Sequence, residues 1–562
     1  LVVAKFAGDA QTDTVGQALA PYVVRVTDTT GVPAAGIDVT WAVTAGGGGI
    51  TAASITDGSG MAQAVRTLGT LAGAQTATAT VGGAAGSPVT FTATALPDAA
   101  ASFEKASGDG QSALPGQQLG APYVVRVRDQ FGNLVSGATV QWSADAGTLS
   151  ASATVTGSTG TAQSRHTLGM TAGPQHATAT LAALPSVVFT AFATTAPALV
   201  ATVAVPPNYG LHDTFVRDGV AFLSAWNSGV LIYDVGNGIA GGTPAAPVLV
   251  GTALTNASPL GSRSAHNTWW FHNPNTSQKR YLFVGQEGPG SIGASSSGDI
   301  HVVDVTDLAN PVEVAFYHDT VATASDADGA GVHNFWMDEQ GQVLFAAYYN
   351  GGVVALDVSG TLTGDLGSRV RARIQPGGSS STYTWGVQRA GGSIYAVDME
   401  SGFWQLTFTG SAFAVAGGGN NVPDRWGSDL WVHGTYAYTG TWGGISRNGN
   451  PGNAVKIWRL GAGGAPTLVD SLIIASITTV SDVEVSADGK LLVFSAEGGT
   501  NAGVHVYSLA DPENPVRLGS YPVGSGVHTA ALADIAGKRY VFAARNPGSP
   551  ALLILDITAF AN

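Results

Sequence analysis

The sequence predicts an all-β chain, two β-sandwiches followed by a seven-bladed β-propeller. Three observations predict it. Two N-terminal segments repeat one another, and a different, aromatic-rich motif recurs seven times after residue 196. Between them run short Val- and Thr-rich stretches broken by turn residues, in a 562-residue chain with 77 Gly and 26 Pro.

Composition sets the outer bounds. Hydrophobic residues make up 44% and charged residues 11%, so the chain can build cores and is no disordered polyelectrolyte. The net charge of −14 argues against a nucleic-acid partner, whose phosphates need clustered Lys and Arg. There is no cysteine, which excludes disulfides, thiolate metal sites, Fe–S clusters and a Cys nucleophile. No apolar run reaches the length of about 18 residues that a transmembrane helix needs. Leu1-Val2-Val3-Ala4-Lys5 lacks the pattern of a signal peptide and reads as a mature or trimmed end.

The first repeat pairs residues 1–98 with residues 99–196. Both carry G-D-x-Q, then A-P-Y-V-V-R-V-x-D, then V-x-W, in the same order. Both continue with T-L-G at Thr67-Leu68-Gly69 and Thr167-Leu168-Gly169, and close with F-T-A at Phe91 and Phe189. Alternation puts Tyr22, Val24 and Val26 on one face and Val23 and Arg25 on the other. Trp41 and Trp142 are the expected plugs between two sheets. His166 and His176 occur only in the second unit and read as solvated strand residues. On these motifs each unit resembles the bacterial Ig-like domains of the invasin and intimin type. The resemblance implies rigid spacers at a cell surface.

The second repeat is an apolar strand ending near Asp: Gly229–Asp234, Gly298–Asp304 and Gly352–Asp357, then with drift at Gly402, Val455, Gly503 and Leu552–Asp556. A strand, a turn and an aromatic strand precede each copy, as at Asp218-Gly219, Asp338 to Gly341 and Asp488-Gly489. Asp307 to Pro311 and Asp511 to Pro515 are turns of one design. Residues 197–562 give about 52 per copy, near the size of a propeller blade. This segment resembles the LVIVD-repeat β-propeller family and is broadly similar to YVTN-type surface propellers. The last copy lacks an outer strand, and the segment 199–205 has no local partner. It is expected to complete the last blade and leave no open edge.

One constellation carries chemistry. The first strands of the copies start at His212, His266, His333, Trp385, Ser428, Ser481 and His528, with Asp213, Asp429 and Asp482 among the residues that follow. In a propeller this register opens on the central channel. Neutral imidazoles around an axis suit a transition metal, with His212, His266, His333, His528, Asp429 and Asp482 as candidate ligands. Turns on the same face carry Trp226, Glu287, Tyr349, Glu400, Trp442, Glu497 and Arg545, which with Trp385 form a candidate ligand platform. The same residues also suit structural hydrogen bonding inherited from one ancestral blade, or acid–base or binding chemistry without a metal. His272, His301, His318, His433 and His505 lie off the register and read as surface or strand residues. Asp319, Asp326 and Asp328 form a candidate Ca²⁺ loop without a bidentate Glu at the required spacing. The polar loop from Ser446 to Asn453 reads as a partner-binding or packing loop.

No Gly-x-Ser-x-Gly elbow, His-Glu-x-x-His motif or P-loop occurs. The sequence reads as a secreted or cell-surface bacterial protein, with the periplasm as a further location, whose stalk presents a head for binding a protein or glycan or for assembly into a larger surface structure. The alternative is a metal-dependent enzyme built on the histidine register.

Overall fold

A computed structural model describes residues 1–205, 210–255, 263–287, 300–319, 331–378, 382–419, 423–444, 446–461, 464–545 and 551–560. Among them there is no α-helix, and no helix is long and apolar enough to cross a membrane. The chain divides into two compact units, Leu1–Ala193 and Thr194–Asn562.

The first unit contains two sandwiches of the same plan. In each, a three-stranded sheet faces a five-stranded one. The first pairs Val2–Ala7, Tyr22–Thr27 and Met61–Ala64 against Gln11–Thr14, Val89–Leu96, Gly73–Thr80, Asp38–Ala45 and Ala53–Ile55. The alternation expected of Tyr22–Thr27 holds, since Tyr22, Val24 and Val26 are fully buried. Their cores are aromatic stacks: Tyr22 lies 4.6 Å from Phe91 and Trp41 5.8 Å from it. Tyr123, Phe189 and Trp142 repeat the arrangement. Each indole N–H finds a hydroxyl, Ser54 at 2.9 Å and Thr154 at 2.7 Å, as a buried Trp requires.

One expectation fails here. His166 is not solvated but fully buried, with Nε2 2.8 Å from the Ala146 carbonyl and Nδ1 3.2 Å from the Tyr123 hydroxyl. The first sandwich places Arg66 at the same spot, also fully buried, donating to the carbonyls of Gly47, Gly49 and Thr67 and to Gln75. The position supplies a donor to the carbonyls of a glycine-rich hairpin, so a polar residue goes inside. His176 stays exposed beside Asp145, 2.8 Å away.

The two sandwiches are joined through Asn133. Its amide donates to the Thr70 carbonyl (2.8 Å) and to Asp129 (2.8 Å), and its oxygen accepts the Ala72 N–H at 2.9 Å. Asp129 also accepts the N–H of Asp98 at the junction (3.0 Å).

The second unit consists of seven antiparallel sheets among the described residues. Six run their strands in sequence order, one of them extended by the parallel strand Gly364–Asp365, and the seventh adds Ala198–Ala204 to the last three strands. The first strands are Asp213–Arg217, Ala265–Asn273, Phe335–Asp338, Thr384–Ala390, Trp426–His433, Thr479–Val485 and Thr529–Ile535. Each contacts the next, and the last contacts the first, so they form a closed ring. Closure is by exchange of one strand: Ala198–Ala204 pairs antiparallel with Ala551–Asp556, as its missing local partner implied. The twin turns also recur, Asn310 donating to Asp307 and Asn514 to Asp511, each at 2.9 Å.

Candidate functional site

All seven first strands line one cavity of about 220 Å³ on the axis of the ring. It is smaller than the roughly 300–1,000 Å³ of sites for drug-sized ligands. It suits an ion, waters or a small terminal group.

One end is the histidine cluster. The rings of His212 and His266 lie 3.8 Å apart, those of His212 and His528 4.2 Å, and those of His266 and His333 4.5 Å. Trp385 stands 4.1 Å from His333, continuing the arc. All four histidines of the register therefore meet on one side of the ring, as their places in neighbouring repeats require.

The turns reach the same spot because each is bridged to the next sheet. Trp226 pairs with Ala265 and Tyr349 with Thr384, each through two backbone hydrogen bonds, and Glu287 pairs with Gly331. Trp226 and Tyr349 adopt left-handed backbone conformations (φ 48° and 35°), unusual for bulky residues. These bridges hold them there and aim their side chains at the histidines: Trp226 lies 4.8 Å from His212, and Tyr349 5.3 Å from His333.

Three histidines have their Nδ1 atoms engaged. His266 Nδ1 is 3.0 Å from the His333 carbonyl, His333 Nδ1 is 3.1 Å from Asn334 Oδ1, and His528 Nδ1 is 2.8 Å from Glu497. His212 Nδ1 and His266 Nε2 are buried without a hydrogen-bond partner among the described residues. His266 Nε2 instead faces Glu287 Oε2 at 3.3 Å, while Tyr349 donates to Glu287 Oε1. Burial, reinforced by neighbouring histidines, pushes the His212 and His333 pKa values well down. Burial works against the charge on His528 too, but Glu497 outweighs it and the pKa rises. Glu497 is lowered despite its burial, because His528 and the Ser481 hydroxyl favour its ionised form.

Asp429 and Asp482 do not join this donor set. They lie deeper in the cavity and hydrogen-bond each other. Asn334 donates to Asp429 at 2.7 Å and the Ala530 N–H to Asp482 at 2.7 Å. Burial pushes Asp429 up to about 6, and burial together with Asp429 pushes Asp482 well up, so the pair holds a shared proton. Burial and Asp482 push Asp213 to about 7. These pKa values are raised in the folded chain. Their contribution to stability is therefore complete below the unfolded value of about 3.9 and is lost as pH rises through 6 and 7. Asp482→Asn keeps an acceptor for Ala530 and supplies a permanent donor to Asp429. The variant is expected to flatten this dependence, melting no lower than the wild type at pH 8. Parallel melting curves from pH 5 to 8 test it, and a wild type whose stability rises over that range contradicts it.

Below the acids lies a collar not foreseen from sequence. Phe215, Trp269, Trp336 and Trp431 follow one another at 5.3, 5.3 and 5.9 Å. Each sits three residues after a register position, so the same alignment carried the signal. The corresponding residue of the sixth repeat is Glu484, half-buried and accepting the Leu532 N–H at 2.6 Å.

None of the predicted turn residues lines the cavity itself; Trp226, Glu287, Tyr349 and Glu497 reach the histidines at its rim. Trp442 packs in the cluster around Trp458, and the Glu400 carbonyl accepts two hydrogen bonds from Arg447. The loop after Ser446 packs: Arg447 lies 4.4 Å over Trp426, and Asn448 donates to the Pro423 carbonyl at 2.7 Å. Asp326 and Asp328 of the Ca²⁺ candidate lie outside the described residues, and Asp319 pairs with Arg373.

Comparison with known proteins adds the following. Residues 116–191 match the family model of the bacterial Ig-like domain (group 1). No curated protein matches the chain. Among solved structures, the D0-D1 domain of intimin is 20% identical, covering 33% of this chain and 96% of that one, at a TM-score of 0.15. The WD40 β-propeller domain of Doa1 is 9% identical over 64% of this chain and 97% of that one, at a TM-score of 0.42. The computationally designed Ika8 protein is 10% identical over 64% and 100%, at a TM-score of 0.38.

Proposed function

We propose that the chain is an extracellular, cell-surface binding or structural protein. Two Ig-like sandwiches, residues 1–98 and 99–196, serve as a stalk, and residues 197–562 form a seven-bladed propeller head for a protein or glycan partner. The observation that carries this reading is the tandem of sandwiches locked through Asn133, a joint that serves reach and has no evident use in catalysis. The bacterial Ig-like match over residues 116–191 supports it, and the internal repeat extends that support to the first sandwich. The closed ring of seven sheets supports the head.

Protease treatment of intact cells that make the chain is expected to release peptides from residues 197–562. Release only after lysis would overturn the surface placement. Glycan and peptide arrays probed with the full chain and with residues 1–193 are expected to give signal for the full chain alone. Equal signal from both would move recognition to the stalk.

A second reading, a metal-dependent enzyme, is favoured by the donor atoms gathered at the cavity mouth.

A further inference from the structure

We propose that His212, His266 and Glu287 form a binding site for one divalent first-row transition ion, of the Zn²⁺ or Cu²⁺ class. The inference concerns only this site and needs neither the surface placement nor an enzymatic activity. One donor atom from each of these residues lies within 4.8 Å of the other two.

The hydrogen bonds decide what those atoms are. A carbonyl only accepts, so His266 Nδ1, 3.0 Å from the His333 carbonyl, carries the ring proton. In the neutral ring Nε2 is then a bare lone pair. It faces Glu287 Oε2 at 3.3 Å, and the other carboxylate oxygen is already engaged by the Tyr349 hydroxyl. With the ring neutral, two electron-rich atoms confront each other inside the protein, an arrangement that repels unless a proton or a metal cation sits between them. His212 Nδ1, also buried and unpartnered among the described residues, lies beside them.

The spacing fits a metal. Ligands at about 2.0–2.2 Å in a tetrahedron stand about 3.4 Å apart, close to the separation of His266 Nε2 and Glu287 Oε2. Two imidazoles and one carboxylate are a donor set that first-row divalent ions accept, with a fourth position left open. The outer contacts are of the kind metal sites use. A backbone carbonyl fixes the His266 tautomer and a phenol fixes the carboxylate. Tyr349 is therefore a positioning residue. Glu287 itself is held by its backbone bridge to Gly331 and by donating its N–H to the Ser264 carbonyl at 3.1 Å.

The test uses the full chain stripped with chelator. Titration with Zn²⁺ and Cu²⁺ by calorimetry, with elemental analysis after gel filtration, is expected to give one ion per chain. Co²⁺ is expected to give visible d–d bands that Zn²⁺ abolishes. Glu287→Gln preserves shape and the contact to Tyr349, and is expected to weaken binding at least about 100-fold. Tyr349→Phe is expected to weaken it about 10–100-fold, the range for outer contacts of a metal. His433→Ala, on a strand end outside the cavity, is the control and should bind as the wild type. Absence of binding at micromolar ion overturns the proposal. So does undiminished binding in both Glu287→Gln and His266→Ala. Should His266→Ala fail to fold by circular dichroism, Glu287→Gln and the Co²⁺ spectrum still decide.

Discussion

A chain that begins at Val205 is expected to melt about 10 °C or more below one that begins at Thr194, and to aggregate. The difference between the two is essentially the Ala198–Ala204 strand, which pairs with Ala551–Asp556 through six residue pairs. Its loss removes several backbone hydrogen bonds, each contributing about 0.5–1.5 kcal/mol. It also uncovers the apolar cluster on which Val200, Ala201 and Val203 pack. At about 2.1 cal/mol/K of unfolding entropy per residue, several kcal/mol becomes a shift of this size. The bared Ala551–Asp556 edge is almost wholly apolar (Ala551, Leu552, Leu553, Ile554 and Leu555), the kind of edge that recruits another chain. Light scattering and calorimetry on both chains test this. Equal melting temperatures would mean that the ring does not depend on strand exchange for its closure.

The second large effect belongs to Trp458. It is fully buried, packs 5.3 Å from Phe403, and donates its indole N–H to Thr439 at 3.0 Å. Trp458→Ala is expected to cost about 3–5 kcal/mol through the cavity it leaves, and more because the Thr439 hydroxyl loses its donor. The melting temperature of the second unit should fall by about 5 °C. Trp458→Phe should recover part of the packing but not the hydrogen bond, and so fall between the two. A loss below about 1 kcal/mol for the alanine variant would mean that the site collapses around the gap.

Much of this molecule was legible before any coordinates. Strand pairing in the second unit is mostly local. Almost every strand there pairs with the next in sequence, and period-two alternation with Gly, Asp and Pro turns specifies that pairing within about fifty residues. Even the long-range closure could be read, because an apolar strand at each end lacked a neighbour. The histidine register was legible for the same reason: repeats align, and aligned positions in a ring share an axis.

The chemistry of the site was not legible to that depth. His166 and Arg66 were sealed inside their sandwiches by backbone carbonyls, Ala146 and Gly47 among them, that only the folded hairpin presents. The register placed Asp429 and Asp482 beside the histidines, but pairing across neighbouring sheets drew them into a proton-sharing couple of their own. Trp442 and Glu400 shared the turn register with Glu287 and Tyr349, yet Trp442 packs in the cluster around Trp458 and the Glu400 carbonyl accepts from Arg447. The sequence by itself determined the strands, their order, the ring and its four converging histidines, because these follow from local periodicity repeated along the chain. Only the tertiary structure decided which imidazole nitrogens carry protons and which carboxylate stands opposite them. Those depend on acceptors such as the His333 carbonyl, from the neighbouring sheet, and Glu287, at the end of the adjoining strand of the same sheet, each brought to within about 3 Å. No pattern of residue types fixes a distance of that kind.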